Sequence, residues 1–269
     1  MNARPTLRFG LTPCPNDTWL IGAVATGRLA LAEAELALEL ADIETLNEGA
    51  LARRYDIVKV SCALFGALAG DYVLLEVGAA IADGYGPLIL TREPMSREAL
   101  LGARVVAPGL HTTGNALARL YAPGLAPVQR RYDTIVPALR AGEFDAGIVI
   151  HEGRLSFESY GLHCHVDLGA WWRETTGLPV ALGCYLIRRE LAADYAAPVE
   201  ALMRASLARA AAGDDPAIAA FVRDHAQEMA PQLLADYIAL YVNAHTHTLG
   251  SDGRAAVAAM GQRLAALAA

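Results

Sequence analysis

The stretch Arg104–Ile150, RVVAPGLHTTGNALARLYAPGLAPVQRRYDTIVPALRAGEFDAGIVI, decides the fold class. Arg104–Ala107 is a short apolar run that predicts a strand, and Pro108-Gly109 turns the chain. Thr113–Tyr121 has helical spacing, Val128–Tyr132 reads as a strand, and Thr134–Ala141 reads as a helix stopped by Gly142. Ala146–Ile150 is continuously apolar, as a strand covered on both faces is. Strand, helix, strand, helix, strand in that order predicts an α/β fold with a mainly parallel sheet and right-handed crossovers.

The flanks extend the pattern. On the amino-terminal side Leu7–Leu11, Glu35–Leu40, Asp56–Ser61, Tyr72–Val77 and Leu88–Thr91 read as strands. Helices are predicted over Asp17–Thr26, with Asn16 or Asp17 as the cap, over Ile43–Arg53, and briefly over Cys62–Leu68. On the carboxyl side Leu186–Arg188 reads as a strand. Pro198–Ala212, Pro216–Met229, Pro231–Asn243 and Arg254–Ala268 read as helices, three of them opening near a proline. Two strand-rich units followed by a helical tail predict two α/β lobes with a cleft between them.

Composition narrows the function. The chain has 269 residues, 54% of them hydrophobic, enough to bury a core. Its net charge of −7 argues against nucleic acid as a partner. Cys14, Cys62, Cys164 and Cys184 form no C-x-x-C pair and read as free thiols of a reducing compartment. Met1–Phe9 has no apolar run of signal-peptide length, and no run of ~18 apolar residues predicts a membrane helix. A cytoplasmic protein with no membrane partner is expected. G-x-G-x-x-G, Walker and G-x-S-x-G patterns are absent, which removes the main support for nicotinamide, nucleoside triphosphate and serine-hydrolase chemistry.

In folds of this class ligands lie beyond the carboxyl ends of strands. After the first strand comes TPCPNDT (12–18), whose prolines stiffen a turn into a helix start and place Asn16 near it; it reads equally as a capped turn. Val58-Lys59-Val60-Ser61 carries the chain's single lysine inside an apolar strand, where it either snorkels from a sheet edge or pairs with an anion. PGLHTTG (108–114) combines a turn, the hydroxyls of Thr112 and Thr113 and a helix start, which suits a carboxylate or phosphate; an ordinary cap is the alternative. His151-Glu152-Gly-Arg154 follows the buried strand, placing an imidazole suited to general acid–base work where Glu152 or Arg154 can tune it or bind substrate. His163-x-His165 and His245-x-His247 lack metal-site spacing, so no metal is expected. Trp171-Trp172 either walls an aromatic ligand or fills the core.

Taken together, TPCPNDT (12–18), DIETLN (42–47), VKVS (58–61), GPLIL (86–90), PGLHTTG (108–114), GIVIHEGR (147–154), DLGAWWRETTGLPVALG (167–183) and YVNA (241–244) resemble the 1,4-dihydroxy-6-naphthoate synthases of the futalosine route to menaquinone. The resemblance covers nearly the whole chain. It implies a fold like the type II periplasmic binding proteins, with residues 1–91 opening lobe I, 92–186 forming lobe II and 187–269 returning to lobe I as its helical part. It implies cleavage of a small anionic substrate, cyclic dehypoxanthinyl futalosine, to 1,4-dihydroxy-6-naphthoate and a dihydroxyacetone-type fragment, with no cofactor. It implies His151 as proton acceptor and Lys59, Val60, Ser61, Thr113 and Gly114 as substrate-binding. The sister family of chorismate dehydratases resembles a glycine–aspartate pattern where this chain has Ile150-His151-Glu152. A small-carboxylate binding protein is a further alternative, as is the effector lobe of a regulator, which the lack of a helix-turn-helix segment before Leu7 disfavours. The sequence leaves the oligomeric state open.

Overall fold

The computed structural model describes residues 4–151, 153–226 and 230–268. In chain order these form β1 (Thr6–Leu11), α1 (Pro15–Ala25), β2 (Glu35–Leu40), α2 (Ile43–Leu51), β3 (Ile57–Ser61), α3 (Phe65–Leu68), β4 (Tyr72–Leu74), β5 (Ala80–Ala82) and β6 (Leu88–Thr91). Next come α4 (Arg97–Gly102), β7 (Val105–Ala107), α5 (Thr113–Tyr121), β8 (Val128–Gln129), α6 (Ile135–Arg140), β9 (Ala146–Val149), α7 (Gly153–Ser156), β10 (His163–Asp167), α8 (Leu168–Thr176) and β11 (Val180–Arg188). The tail is helical: α9 (Arg189–Ala211), α10 (Pro216–His225), α11 (Pro231–Tyr241), α12 (Ala244–His247) and α13 (Gly250–Ala268).

The described residues divide into two compact units, the first drawn from 1–61, 65–81 and 183–252, the second from 62–64, 82–182 and 253–269. The first unit's sheet runs β2-β1-β3-β11-β4, with β5 pairing β11. Strands β2, β1 and β3 are parallel and β11 returns antiparallel between β3 and β4. Phe9, Leu11, Leu20, Ile57, Tyr185 and Met203 meet in its core. Each such side chain contributes about 1.5–3 kcal/mol on burial. The second unit's sheet runs β10-β6-β9-β7-β8, parallel through β9, β7 and β8 and antiparallel at β6 and β10. Leu117, Ile148, Trp172 and Met260 share its core.

The chain passes between units at Ile81–Ala82, Leu182–Gly183 and Asp252–Gly253, and Cys62–Leu64 also belongs to the second unit. Strand β6 belongs to the second unit because it is hydrogen-bonded to β9 and β10. Residues 253–269 join the second unit rather than the first, since Met260 packs into the core that holds Trp172. Helix α1 starts at Pro15 with Cys14 in the cap position, so neither Asn16 nor Asp17 caps it. Pro198 lies inside α9 instead of opening a helix. The helix tolerates the missing N–H because Val199, Leu202, Met203, Ser206 and Leu207 are buried along one face.

Candidate active site

In the first unit, β3 lies between β1 and β11, so Lys59 is not on an edge. Its side chain is 5% exposed and its ammonium donates to Asp17 Oδ1 at 2.9 Å and Gly78 O at 3.0 Å. The same ammonium sits 4.8 Å from the centroid of the Tyr185 ring. A Cβ on Gly183 would come within 2.9 Å of Lys59 Cε, so a glycine there makes room for the lysine stem. Asp17 also accepts from Thr12 Oγ1 at 2.6 Å and from Asn16 Nδ2 at 3.0 Å, and it stands in the first turn of α1, where negative charge is favoured. Lys59 and Asn16 are thus drawn together by Asp17. Two of the ammonium's three donors are held inside the unit, and Lys59 ties β3 to α1 two residues before Ser61.

Ser61 closes β3. Asn47, on α2, donates to Ser61 Oγ at 3.1 Å and accepts from Ser61 N at 2.9 Å. The hydroxyl proton is left to donate onward. The Val60 side chain is fully buried, so it offers a ligand only main chain.

Tyr185 stands opposite Lys59 in the sheet. Burial first, then the charge of Asp17, hold its phenol well above the ordinary range. Its hydroxyl feels that charge without the geometry of a hydrogen bond and is buried with no partner. Tyr185→Phe keeps the ring contacts with Lys59 and Phe9 and removes an unsatisfied group. It is expected to stabilise the protein by up to ~1 kcal/mol, read as a rise in the urea midpoint. Tyr72 is likewise pushed up to about 12, chiefly by burial. The unfolded phenol ionises near pH ~10. Stability from this group is therefore complete below that pH and lost as pH rises towards 12. A pH series of urea melts above pH ~10 should show a shallower loss in Tyr72→Phe.

In the second unit Thr112 caps α5, accepting from Asn115 N at 3.2 Å. The Thr113 hydroxyl donates to Leu182 O at 2.7 Å and accepts from Ala63 N at 3.3 Å. Its proton is committed to Leu182, so towards an anion Thr113 presents its main-chain amide. The amides of Thr113 and Gly114, in the first turn, lack the intrahelical acceptors that later residues have and can meet an anion. Gly114 packs against β9: a Cβ there would lie 3.0 Å from the Ile150 side chain. Ile150 precedes His151, so the helix start and the histidine are neighbours in one unit.

His151 is half-buried and has φ of +59°, a left-handed conformation that His adopts more readily than most residues. Its ring meets that of Tyr132 edge to face, centroids 4.7 Å apart. Strand β9 ends at Val149, two residues before His151. Arg154 donates to Gly86 O at 2.8 Å and to Asp167 Oδ2 at 2.6 Å. Asp167 in turn caps α8 through Gly169 N and Ala170 N. A Cβ on Gly169 would lie 2.0 Å from the Tyr85 carbonyl, so glycine is required at this approach. Arg154 thereby ties α7 to the segment leading into β6 and to the start of α8. Glu152 lies outside the described residues.

The tryptophan pair divides. Trp172 is 1% exposed and donates to Pro179 O, filling the core. Trp171 is half-buried, edge-on to Tyr121 at 5.5 Å. His165 accepts or donates to the Tyr121 hydroxyl at 3.2 Å. Among the described residues no group of three His, Cys, Asp or Glu side chains could hold a metal ion. Nor, among them, is any helix long and apolar enough to cross a membrane. The sequence did not reveal Asn47, Asp167 or Tyr132 as partners. Asp17 was visible as a first-turn acid beside Asn16, but its buried pairing with a residue 42 positions away was not.

Residues 7–266 match the menaquinone biosynthesis family. The chain belongs to that family. It is 43% identical over 254 residues to a Thermus thermophilus protein named 1,4-dihydroxy-6-naphtoate synthase, covering 94% of this chain and 91% of that one. It is 41% identical over 267 residues to a Streptomyces coelicolor protein of the same name, covering 97% and 93%. A crystal structure of an Archaeoglobus fulgidus protein superposes with a TM-score of 0.89 at 32% identity, covering 98% of this chain and 96% of that one. The periplasmic aliphatic sulphonate binding protein of Escherichia coli, with a TM-score of 0.66 at 16% identity over 98% and 87%, shares the fold alone. The family's fold is thus that of the periplasmic solute-binding proteins, two α/β lobes each with its own sheet.

Proposed function

We propose that this chain catalyses the reaction for which its relatives are named, the release of 1,4-dihydroxy-6-naphthoate from cyclic dehypoxanthinyl futalosine, with His151 as the general base. The observation that carries the reading is identity of 41–43% to synthases over nearly the full chain. The structure is consistent with it, because His151 follows a buried strand and neighbours a helix start with free amides. The substrate carries a carboxylate and a ring system that becomes aromatic on cleavage. Aromatisation drives the step, so the protein must supply a placed base and neutralise charge. His151 removes a proton, and the bond between ring and carbohydrate breaks. The Thr113 and Gly114 amides bind an anionic group, and the Ser61 hydroxyl donates a hydrogen bond. Lys59 acts indirectly, by fixing the strand that carries Ser61. The reaction takes place in the cytoplasm and uses no cofactor.

Mass-spectrometric product analysis with cyclic dehypoxanthinyl futalosine and, separately, chorismate tests the proposal. Conversion of the first to the naphthoate and recovery of the second unchanged is the expected result. Loss of water from chorismate would assign the sister activity, and return of both compounds unchanged would leave a binding protein.

A further inference from the structure

A cavity of about 160 Å³ opens on the second unit, lined by Ala63, Leu64, Leu110, His111, Asn115, Ala116, Arg119, Leu264 and Leu267. None of Lys59, Ser61, Thr113, Gly114 and His151 is among its lining residues. Gly114 turns towards Ile148 and Ile150 of the sheet. At ~100° per residue, Asn115, Ala116 and Arg119 share the face turned away from Gly114. The carboxyl end of α13 supplies the opposite wall through Leu264 and Leu267.

The lining has three features that ask for a particular kind of ligand. Leu64, Leu110, Leu264 and Leu267 provide an apolar surface, and Leu110 is 55% exposed. Asn115 is 1% exposed. Its amide nitrogen donates to Leu110 O at 2.8 Å, which fixes the orientation of the amide group, and Oδ1 is left buried with no hydrogen-bond partner. Arg119 is exposed at the rim, and no carboxylate among the described residues pairs with it. An apolar body, a hydrogen-bond donor and a negative charge would satisfy all three at once.

We propose that this cavity is a second binding site, for a compact aryl carboxylate that carries a hydroxyl group. The ring lies among the leucines, the carboxylate pairs with Arg119, and the hydroxyl donates to Asn115 Oδ1 once the cavity wall that now covers that oxygen is displaced. The geometry stands on its own. The link to physiology rests on the proposed function, under which the reaction's own product, a dihydroxynaphthoate, belongs to this class and would be held outside the catalytic centre.

Calorimetric titration of the full chain with 6-hydroxy-2-naphthoate and with 2-naphthol tests it. Ala116→Leu fills the cavity, and Arg119→Gln removes the charge at an exposed position without touching the catalytic residues. The expected result is a naphthoate-binding event that Ala116→Leu abolishes and Arg119→Gln weakens at least tenfold, with the neutral naphthol weakened little by Arg119→Gln. Isotherms that both substitutions leave unchanged would overturn the proposal, as would equal binding of naphthoate and naphthol at this site. Turnover of cyclic dehypoxanthinyl futalosine is measured on the same samples. Absence of turnover in the unmodified protein would remove the proposed function and leave the binding result to stand or fall by itself.

Discussion

His151→Asn is expected to lower turnover of cyclic dehypoxanthinyl futalosine by at least about 10²–10⁴-fold, the usual worth of a general base. Asparagine is the informative replacement. Residue 151 has φ of +59°, and Asn tolerates the left-handed region at least as well as His. The turn is therefore preserved while the base is removed, and the urea midpoint should stay within the range of ordinary surface changes. Alanine would add backbone strain of order 1 kcal/mol and confuse the two effects. If the asparagine variant turns over at nearly the unmodified rate, His151 is not the base. The half-buried imidazole edge-on to Tyr132 would then be a packing feature.

The largest effect on stability is expected at the Lys59–Asp17 pair. Both side chains are 5% exposed or less and are 2.9 Å apart. Removing one charge leaves the other buried and unpaired, which costs about 3–5 kcal/mol. Asp17→Asn and Lys59→Met should each lose stability of that order in urea unfolding. The double variant should lose much less than the sum, because the two partners couple directly. Single variants that cost under ~1 kcal/mol would mean that the pair is solvated after all. Activity would fall as well, through displacement of β3 and of Ser61 at its end, so binding and stability are to be measured on the same preparations.

The elements with strong local signals were legible in the sequence. Glu35–Leu40, Leu88–Thr91 and Thr113–Tyr121 form over the expected residues because alternation, apolar continuity and a Thr cap leave few alternatives. What escaped depends on distant partners. β10 carries His163 and His165, which read as strand or as surface, and it is a strand because β6 hydrogen-bonds to it. α8 starts inside an aromatic and charged stretch, and its start is fixed by Asp167, which is itself held by Arg154. The same limit applies to the candidate site. His151 and the helix start at Thr113 are local features and were readable. The settlement of Lys59 with Asp17 and of the Thr113 hydroxyl with Leu182 is tertiary, and it changes what those residues can offer a ligand.

The division of the chain has a consequence for its birth on the ribosome. Strand β11 lies between β3 and β4, so the first unit's sheet cannot close until about 120 residues beyond β3 have been made. Residues 82–182 are contiguous and can begin to fold while the amino-terminal strands still wait for their neighbour. Their core is completed only when α13 arrives with Met260. A ribosome paused between β11 and α13 would therefore hold a nascent chain whose first sheet is closed and whose second core still exposes the surface that Met260 covers, a substrate for chaperones at a defined length.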